Sequence, residues 1–258
     1  MKKILFMLFV MMLVPCWQTG AADHDMTAAT VINQSWQRYR QLAAAEQEQL
    51  LLTVTRLGEA GQQKQLTRWT RYVQSGEQVV LKFASPAADA GLGLWLDRAD
   101  RSAQQIWLRM PSWVKARRVN GQRQQQYFAG TDLTFEDNAE LSGEDPTAYQ
   151  YRILDQSPQG WWIEARPNMG STSAYAKREI WVDPDYAISR IDYFNREGLL
   201  IKTLQNRMLQ KYPHGGWRPN RVEIDNHLEQ RQTLIEVRER RFDTSLANQI
   251  FSQEFLSD

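Results

Sequence analysis

The chain is poor in the residues from which metal sites, thiol enzymes and disulfide scaffolds are built. It has one cysteine, Cys16, and three histidines, His24, His214 and His227, in 258 residues. The histidines are far apart and show no H-x-x-x-H or H-E-x-x-H spacing, which removes the usual zinc signatures. No G-x-S-x-G elbow occurs, and Gly91-x-Gly93 lacks the third glycine and following helix of a nucleotide loop. The acidic group Glu136, Asp137, Glu140, Glu144 and Asp145 lacks the alternating ligands and central glycine of a calcium loop, so it reads as a solvated acidic face. An excess of one charge is missing too, with 31 basic side chains against 30 acidic ones. Nucleic-acid binders rest on a large basic excess, so that class is excluded. These absences point away from an enzyme and leave no cofactor or metal to expect.

Long apolar runs are also scarce. The run from Ile4 to Val14 follows Lys2 and Lys3 and precedes Gly20-Ala21-Ala22, which is the pattern of a secretory signal peptide over residues 1–22. It is too short to span a bilayer. Pro15 before Cys16 argues against a lipidated cysteine, so cleavage is expected after Ala22, with the mature chain in the periplasm. That cut removes Lys2 and Lys3 and leaves 29 basic and 30 acidic groups and no cysteine. An oxidising compartment could then neither staple nor mispair the chain, and stability must come from a hydrophobic core.

What is present is periodicity. From Thr27 to about Glu48, apolar residues recur at helical spacing through Val31, Trp36, Tyr39 and Leu42. The period then changes to two. Strands are expected at 50–57, 65–73, 77–83, 92–97, 104–110, 114–119, 148–154, 161–166, 178–182, 188–195, 199–209, 217–226 and 232–242, separated by turn residues such as Asp183-Pro184-Asp185 and His214-Gly215-Gly216. Without βαβ alternation, this is a mainly β antiparallel meander with an N-terminal helix, folded as a single domain over 23–258. Residues 127–146 break the rhythm and read as short helical turns, with Thr131 or Asp132 as N-cap and Phe128, Leu133 and Phe135 as apolar teeth.

Nine tryptophans remain after the expected cleavage, several beside alternating aliphatics. A sheet with one wet face should alternate cleanly, so strands dry on both sides need a second cover. An apolar ligand would supply one. The candidate groove residues are Trp95, Trp107, Met110, Trp113, Phe128, Leu133, Phe135, Trp162 and Trp181; ordinary core packing is the alternative for each. Residues 128–141 are expected to form a movable lid, with Leu133 and Phe135 in the groove and Asp132, Glu136 and Asp137 facing outward. Arg117 and Arg118 would steer the lid through Asp132 and Asp137, or else serve as solvated edge-strand charges that discourage aggregation.

Several strings, taken in order, resemble a known family. Phe83-Ala-Ser-Pro86, Gln105-Ile-Trp-Leu-Arg-Met-Pro111, Gly130-Thr-Asp-Leu-Thr-Phe-Glu-Asp137, Ile180-Trp-Val-Asp183, Ile191-Asp-Tyr-Phe-Asn-Arg-Glu-Gly198, Lys202 and Gly216-Trp-Arg-Pro-Asn220 resemble the outer membrane lipoprotein-sorting protein family. These are LolA-like relatives of the periplasmic lipoprotein carrier, and the resemblance runs from about residue 27 to 256. It implies a curved, unclosed antiparallel half-barrel with an N-terminal helix and short lid helices over an apolar cavity. It also implies a monomeric carrier of a lipid or acylated protein, partnered by an RND-type or other inner-membrane exporter. A lipid-sensing accessory module on the same groove is the alternative.

Overall fold

A computed structural model describes residues 26–74, 76–100, 104–242 and 245–257. The expected signal peptide, Cys16, the cleavage site after Ala22 and His24 lie outside these residues. The chain opens with helix α1 (Ala28–Arg40), whose N-cap Thr27 accepts a hydrogen bond from the Thr30 amide at 3.2 Å. Thirteen strands follow: β1 (Ala45–Arg56), β2 (Gln62–Val73), β3 (Gly76–Ser85), β4 (Gly93–Asp97), β5 (Gln105–Arg109), β6 (Arg117–Arg118), β7 (Tyr149–Ser157), β8 (Gly160–Pro167), β9 (Lys177–Val182), β10 (Ile188–Phe194), β11 (Leu200–Lys211), β12 (Trp217–Asn226) and β13 (Arg231–Phe242). Helix α2 (Phe135–Glu140) lies between β6 and β7, and α3 (Gln253–Ser257) closes the chain.

All thirteen strands join one unclosed sheet in the order β6-β5-β4-β3-β2-β1-β13-β12-β11-β10-β9-β8-β7. Each neighbouring pair is antiparallel, as short hairpin turns dictate. The expected half-barrel is therefore observed, with every expected strand in its place along the chain. Two bounds differ. The helix stops at Arg40 instead of continuing to Glu48, because Glu46 and Glu48 already belong to β1. Both carboxylates turn inward onto arginines, so the polar letters hid the period of two. The expected 114–119 strand shrinks to two residues, because the segment after Pro111 leaves the sheet as a loop.

Alternation divides the sheet into two faces. On the concave side Leu81, Leu94, Ile106, Ile163, Ile180 and Ile224 pack with Val31, Ile32, Trp36 and Tyr39 of α1 into the main core. On the convex side a smaller cluster of Val80, Phe251 and Leu256 gathers Trp69, Trp95 and Trp107 under the C-terminal segment. The tail sits close: a Cβ at Gly93 would fall 2.6 Å from a Leu256 methyl carbon, so a bare backbone there accommodates α3. No described helix is long and apolar enough to cross a membrane.

Candidate functional site

Strands β6 and β7 are consecutive in the chain yet occupy opposite edges of the sheet. The connection over residues 119–148 must therefore cross the open side, and it does so as a strap containing α2. Its anchor is a capping box: Thr134 accepts from the Asp137 amide at 3.0 Å while the Asp137 carboxylate accepts from the Thr134 amide at 2.7 Å. The N-cap is thus Thr134, in place of the expected Thr131 or Asp132. Phe128, Leu133 and Phe135 are buried in the concave core, as the expected teeth. The Phe128 ring meets Phe83 at 5.7 Å and Phe135 at 5.4 Å.

Between strap, α1 and sheet lies a narrow, two-lobed cleft. The larger lobe holds a cavity of about 40 Å³ within a partly open recess, walled by Trp36, Tyr39, Ile188, Ile191 and Trp217 and by the charged Arg68, Asp137, Glu140, Glu144 and Arg178. The smaller, a cavity of about 20 Å³, is walled by Leu52, Leu66, Phe83, Phe128 and Leu133. Leu50, Arg68, Leu141 and Ile235 line both lobes and join them.

The acids of the strap face inward, which corrects the reading of a solvated acidic face. Asp132 accepts from Arg231 at 2.7 Å, Asn226 at 3.0 Å and Thr233 at 2.7 Å. Asp137 pairs with Lys202 and accepts from the Tyr175 hydroxyl at 2.9 Å. Glu140 and Glu144 share the buried Arg178, with Glu144 at 2.7 Å, and Tyr151 donates to Glu144 at 2.6 Å. Glu136 accepts from the Ala174 amide at 2.9 Å. Burial raises the Glu140 carboxyl to about 7 against the pull of Arg178, and Glu136 and Glu144 add to the rise. Burial raises Glu136 as well. Across the cleft, Glu48 is held by Arg68 and by Arg240 at 2.8 Å; burial works to raise its pKa, but the two guanidinium groups hold it below the ordinary value. Glu46 pairs with Arg218 at 3.0 Å.

Other expected site residues fall elsewhere. Trp95 and Trp107 belong to the convex cluster under the tail, so they cannot line the concave groove. Trp162 and Trp181 also sit outside, stacked at 5.5 Å, because Ile163, Ile180 and Val182 take the inward positions of their strands. Met110 and Trp113 lie in the β5–β6 loop, away from the cleft walls. Arg117 and Arg118 do not reach Asp132 or Asp137: they are exposed, with the Arg117 guanidinium 4.4 Å above the Trp113 ring. The positions of Trp36, Arg68, Arg178, Lys202 and Trp217 were not foreseen. A strand register would have found Arg178, which alternates onto the face of Ile180 and Val182.

Comparison with known proteins follows from this geometry. A family model described as an uncharacterized protein matches residues 75–258. No curated protein matches the chain. Among solved structures, a Vibrio parahaemolyticus domain described as an outer membrane lipoprotein-sorting protein superposes with a TM-score of 0.81 at 19% identity, covering 90% of this chain and 98% of that one. A DUF1329 family protein from Desulfovibrio piger gives 0.78 at 20% identity, covering 89% and 99%. A LolA superfamily protein from Nitrosomonas europaea gives 0.68 at 16% identity, with 89% and 99% covered. At such identities the likeness speaks for the fold alone. The chain belongs to the family whose model spans residues 75–258, and its half-barrel is the fold of the lipoprotein-sorting and LolA superfamily proteins.

Proposed function

We propose that the protein is a periplasmic carrier that holds an acyl chain of a lipid or lipoprotein in the concave cleft during passage between membranes. The observation that carries this reading is the two-lobed cleft beneath the strap, whose smaller lobe is mainly apolar, on a fold shared with a lipoprotein-sorting domain and a LolA superfamily protein. Each methylene of an acyl chain costs roughly 0.8 kcal/mol in water, and a dry groove offsets that cost. Two buried donors at the larger lobe, Trp36 Nε1 and Arg178 Nε, have no hydrogen-bond partner among the described residues. They suit a neutral acceptor such as the ester carbonyl of an acyl chain, since a buried donor without a partner is costly and an anion there would meet Asp137, Glu140 and Glu144. No catalytic arrangement is required by this reading. The family resemblance makes an inner-membrane exporter of RND type the natural source of cargo.

The test is mass spectrometry of the protein purified gently from the bacterial envelope. Co-purifying acyl-bearing molecules, lost when Phe128 or Leu133 is replaced by a polar residue in a folded variant, are the expected result. A protein that emerges empty and takes up no fluorescent fatty acyl probe would overturn the carrier reading.

A further inference from the structure

The basic run that fails to reach the strap makes no ion pair among the described residues. Residues 109–123 hold five basic side chains, Arg109, Lys115, Arg117, Arg118 and Arg123, and no acid. Lys115, Arg117, Arg118 and Arg123 are exposed, and among the described residues none makes an ion pair. Apolar groups are set among these charges: Val114 is 85% exposed, Met110 is exposed beside it, and Trp113 lies half-buried under Arg117. Edge protection accounts for charges on a strand, but it does not account for a bare valine between a tryptophan and a lysine.

The sheet register places this loop on a particular rim. Arg109 and Lys82 both pair with Gly93, and Ser85 pairs with Gln65, so the loop leaves the sheet where β3 ends and β2 begins. The same rim carries three adjoining hairpin tips. The Leu57 amide donates to the Gln230 carbonyl at 3.3 Å, and the His227 amide to the Ile201 carbonyl at 2.9 Å, which aligns the β1–β2, β12–β13 and β10–β11 turns side by side. Each tip leaves a leucine largely bare: Leu57, Leu228 and Leu199. Turn chemistry calls for Gly, Pro, Asn, Asp or Ser, so the leucines are not there to make the turns. The smaller cleft lobe, walled by Leu52, Leu66 and Phe83, lies toward this end of the strands.

We propose that this rim docks on an anionic phospholipid surface, with the basic loop on the headgroup phosphates and Val114 and the three leucines dipped among the acyl ends. Separate apolar tips suit a fluid interface that moulds around them, whereas a protein partner needs one contiguous packed patch. Lys115, Arg117 and Arg118, with Arg56 and Arg196 of the leucine tips, outnumber Glu59, Glu197 and Glu229 of the same tips, so the rim complements anionic lipid. Docking would set the smaller lobe against the bilayer, yet it stands whether or not the cleft carries an acyl chain.

The test floats the purified protein with vesicles of phosphatidylethanolamine and phosphatidylglycerol, and separately with phosphatidylcholine alone. Binding to the anionic vesicles, released by salt and absent from the neutral ones, is expected. The combined variant Lys115→Gln, Arg117→Gln, Arg118→Gln should lower partitioning about 100-fold, at about 1 kcal/mol per basic side chain near an anionic surface. Val114→Ser should lower it about tenfold. All four side chains are exposed, so an unchanged unfolding midpoint is the control. Should the triple variant misfold, the salt dependence of the unaltered protein decides. Absence of vesicle binding, binding indifferent to salt, or capture of an acidic protein without any vesicle binding overturns the proposal.

Discussion

The two faces of the half-barrel are filled by opposite chemistries, and each is the reverse of what its residues first suggest. The concave face, which shelters the cleft, holds a network of buried ion pairs, Glu46, Glu48, Asp132, Asp137 and Glu144 with Arg68, Arg178, Lys202, Arg218 and Arg231, whereas the buried convex acids Glu164, Glu179 and Asp192 pair with more exposed cations. The convex face holds the tryptophans first assigned to a groove, with Trp95 and Trp107 under the C-terminal tail and Trp162 stacked on Trp181 in the open. Large aromatic area therefore does not tell the two faces apart, since Trp36, Tyr39, Trp217 and Phe128 line the concave cleft. On the concave side the ion pairs tie the strap to strands β9, β11 and β13, which fixes one wall of the cleft in place. Such pairs give a defined geometry more than net stability, because their Coulomb attraction is offset by desolvation.

The comparison is most easily broken at Arg178. Replacing it by alanine leaves Glu140 and Glu144 facing each other in a buried site with no counter-charge. A loss of about 3–5 kcal/mol is expected in denaturant unfolding. Restoring neutrality with Glu140→Gln and Glu144→Gln in the same chain should recover part of that loss. A cost under about 1 kcal/mol for Arg178→Ala would mean that the interior charges behave like surface ones, and the contrast between the faces would fail.

The convex side is probed by Leu256→Ala. Leu256 is buried against Gly93 and Val80, and a core leucine truncation costs about 2–5 kcal/mol. Because α3 is terminal it can detach, so the loss stops at the docking energy of the tail, and about 1–3 kcal/mol is expected. Hydrogen exchange should rise in β4 and β5 while the strap stays protected. Equal loosening of the strap would show that the faces are not independent.

Much of this architecture is written in local pattern. Alternation in segments such as Arg178-Glu-Ile-Trp-Val182 and turn residues between them are enough to place thirteen strands, because short loops leave antiparallel pairing as the simple solution. What local pattern does not carry is which side of each strand is inside. Trp161 and Trp162 are neighbours with similar letters, yet Trp161 packs on the main core and Trp162 faces out, and only the register of Ile163 opposite Ile180 decides it. The same limit hid the strap's acids. Asp137 looks solvated until Lys202, 65 residues away, arrives beside it on β11. Pairings at such separation depend on the strap crossing the open side of the sheet and leave no mark near either residue.

Acidity sharpens the contrast further. The folded protein raises Glu140 from its ordinary value of 4.5 to about 7, chiefly by burial. Between those values the folded state binds more protons than the unfolded chain, so stability from this group is complete below about 4.5 and declines as pH rises to about 7. Glu48 works in the opposite sense: its lowered pKa gives stability that is lost as pH falls through the folded value. Unfolding midpoints measured across this range should fall on the neutral side, and Glu140→Gln should flatten that fall while leaving the acid limb intact. An unchanged profile in the variant would assign the pH dependence to another group.

The smallest effect is expected at Trp162, and it bears on function as well as stability. Its ring stacks on Trp181 at 5.5 Å with planes 14° apart, its Nε1 donates to Glu179 at 3.2 Å, and Arg190 covers Trp181 at 4.8 Å. Such a pair contributes about 0.5–1.5 kcal/mol beyond the area it buries. A double-mutant cycle of Trp162→Ala with Trp181→Ala should return a coupling of that size. Both rings lie on the convex face, with Ile163 and Ile180 between them and the cleft, so uptake of an acyl probe should be the same in the variants as in the unaltered protein. Phe128→Ala, by contrast, removes a cleft wall and should weaken uptake. If Trp162→Ala abolishes uptake in a folded protein while Phe128→Ala spares it, the ligand binds outside the barrel and the concave cleft is only packing.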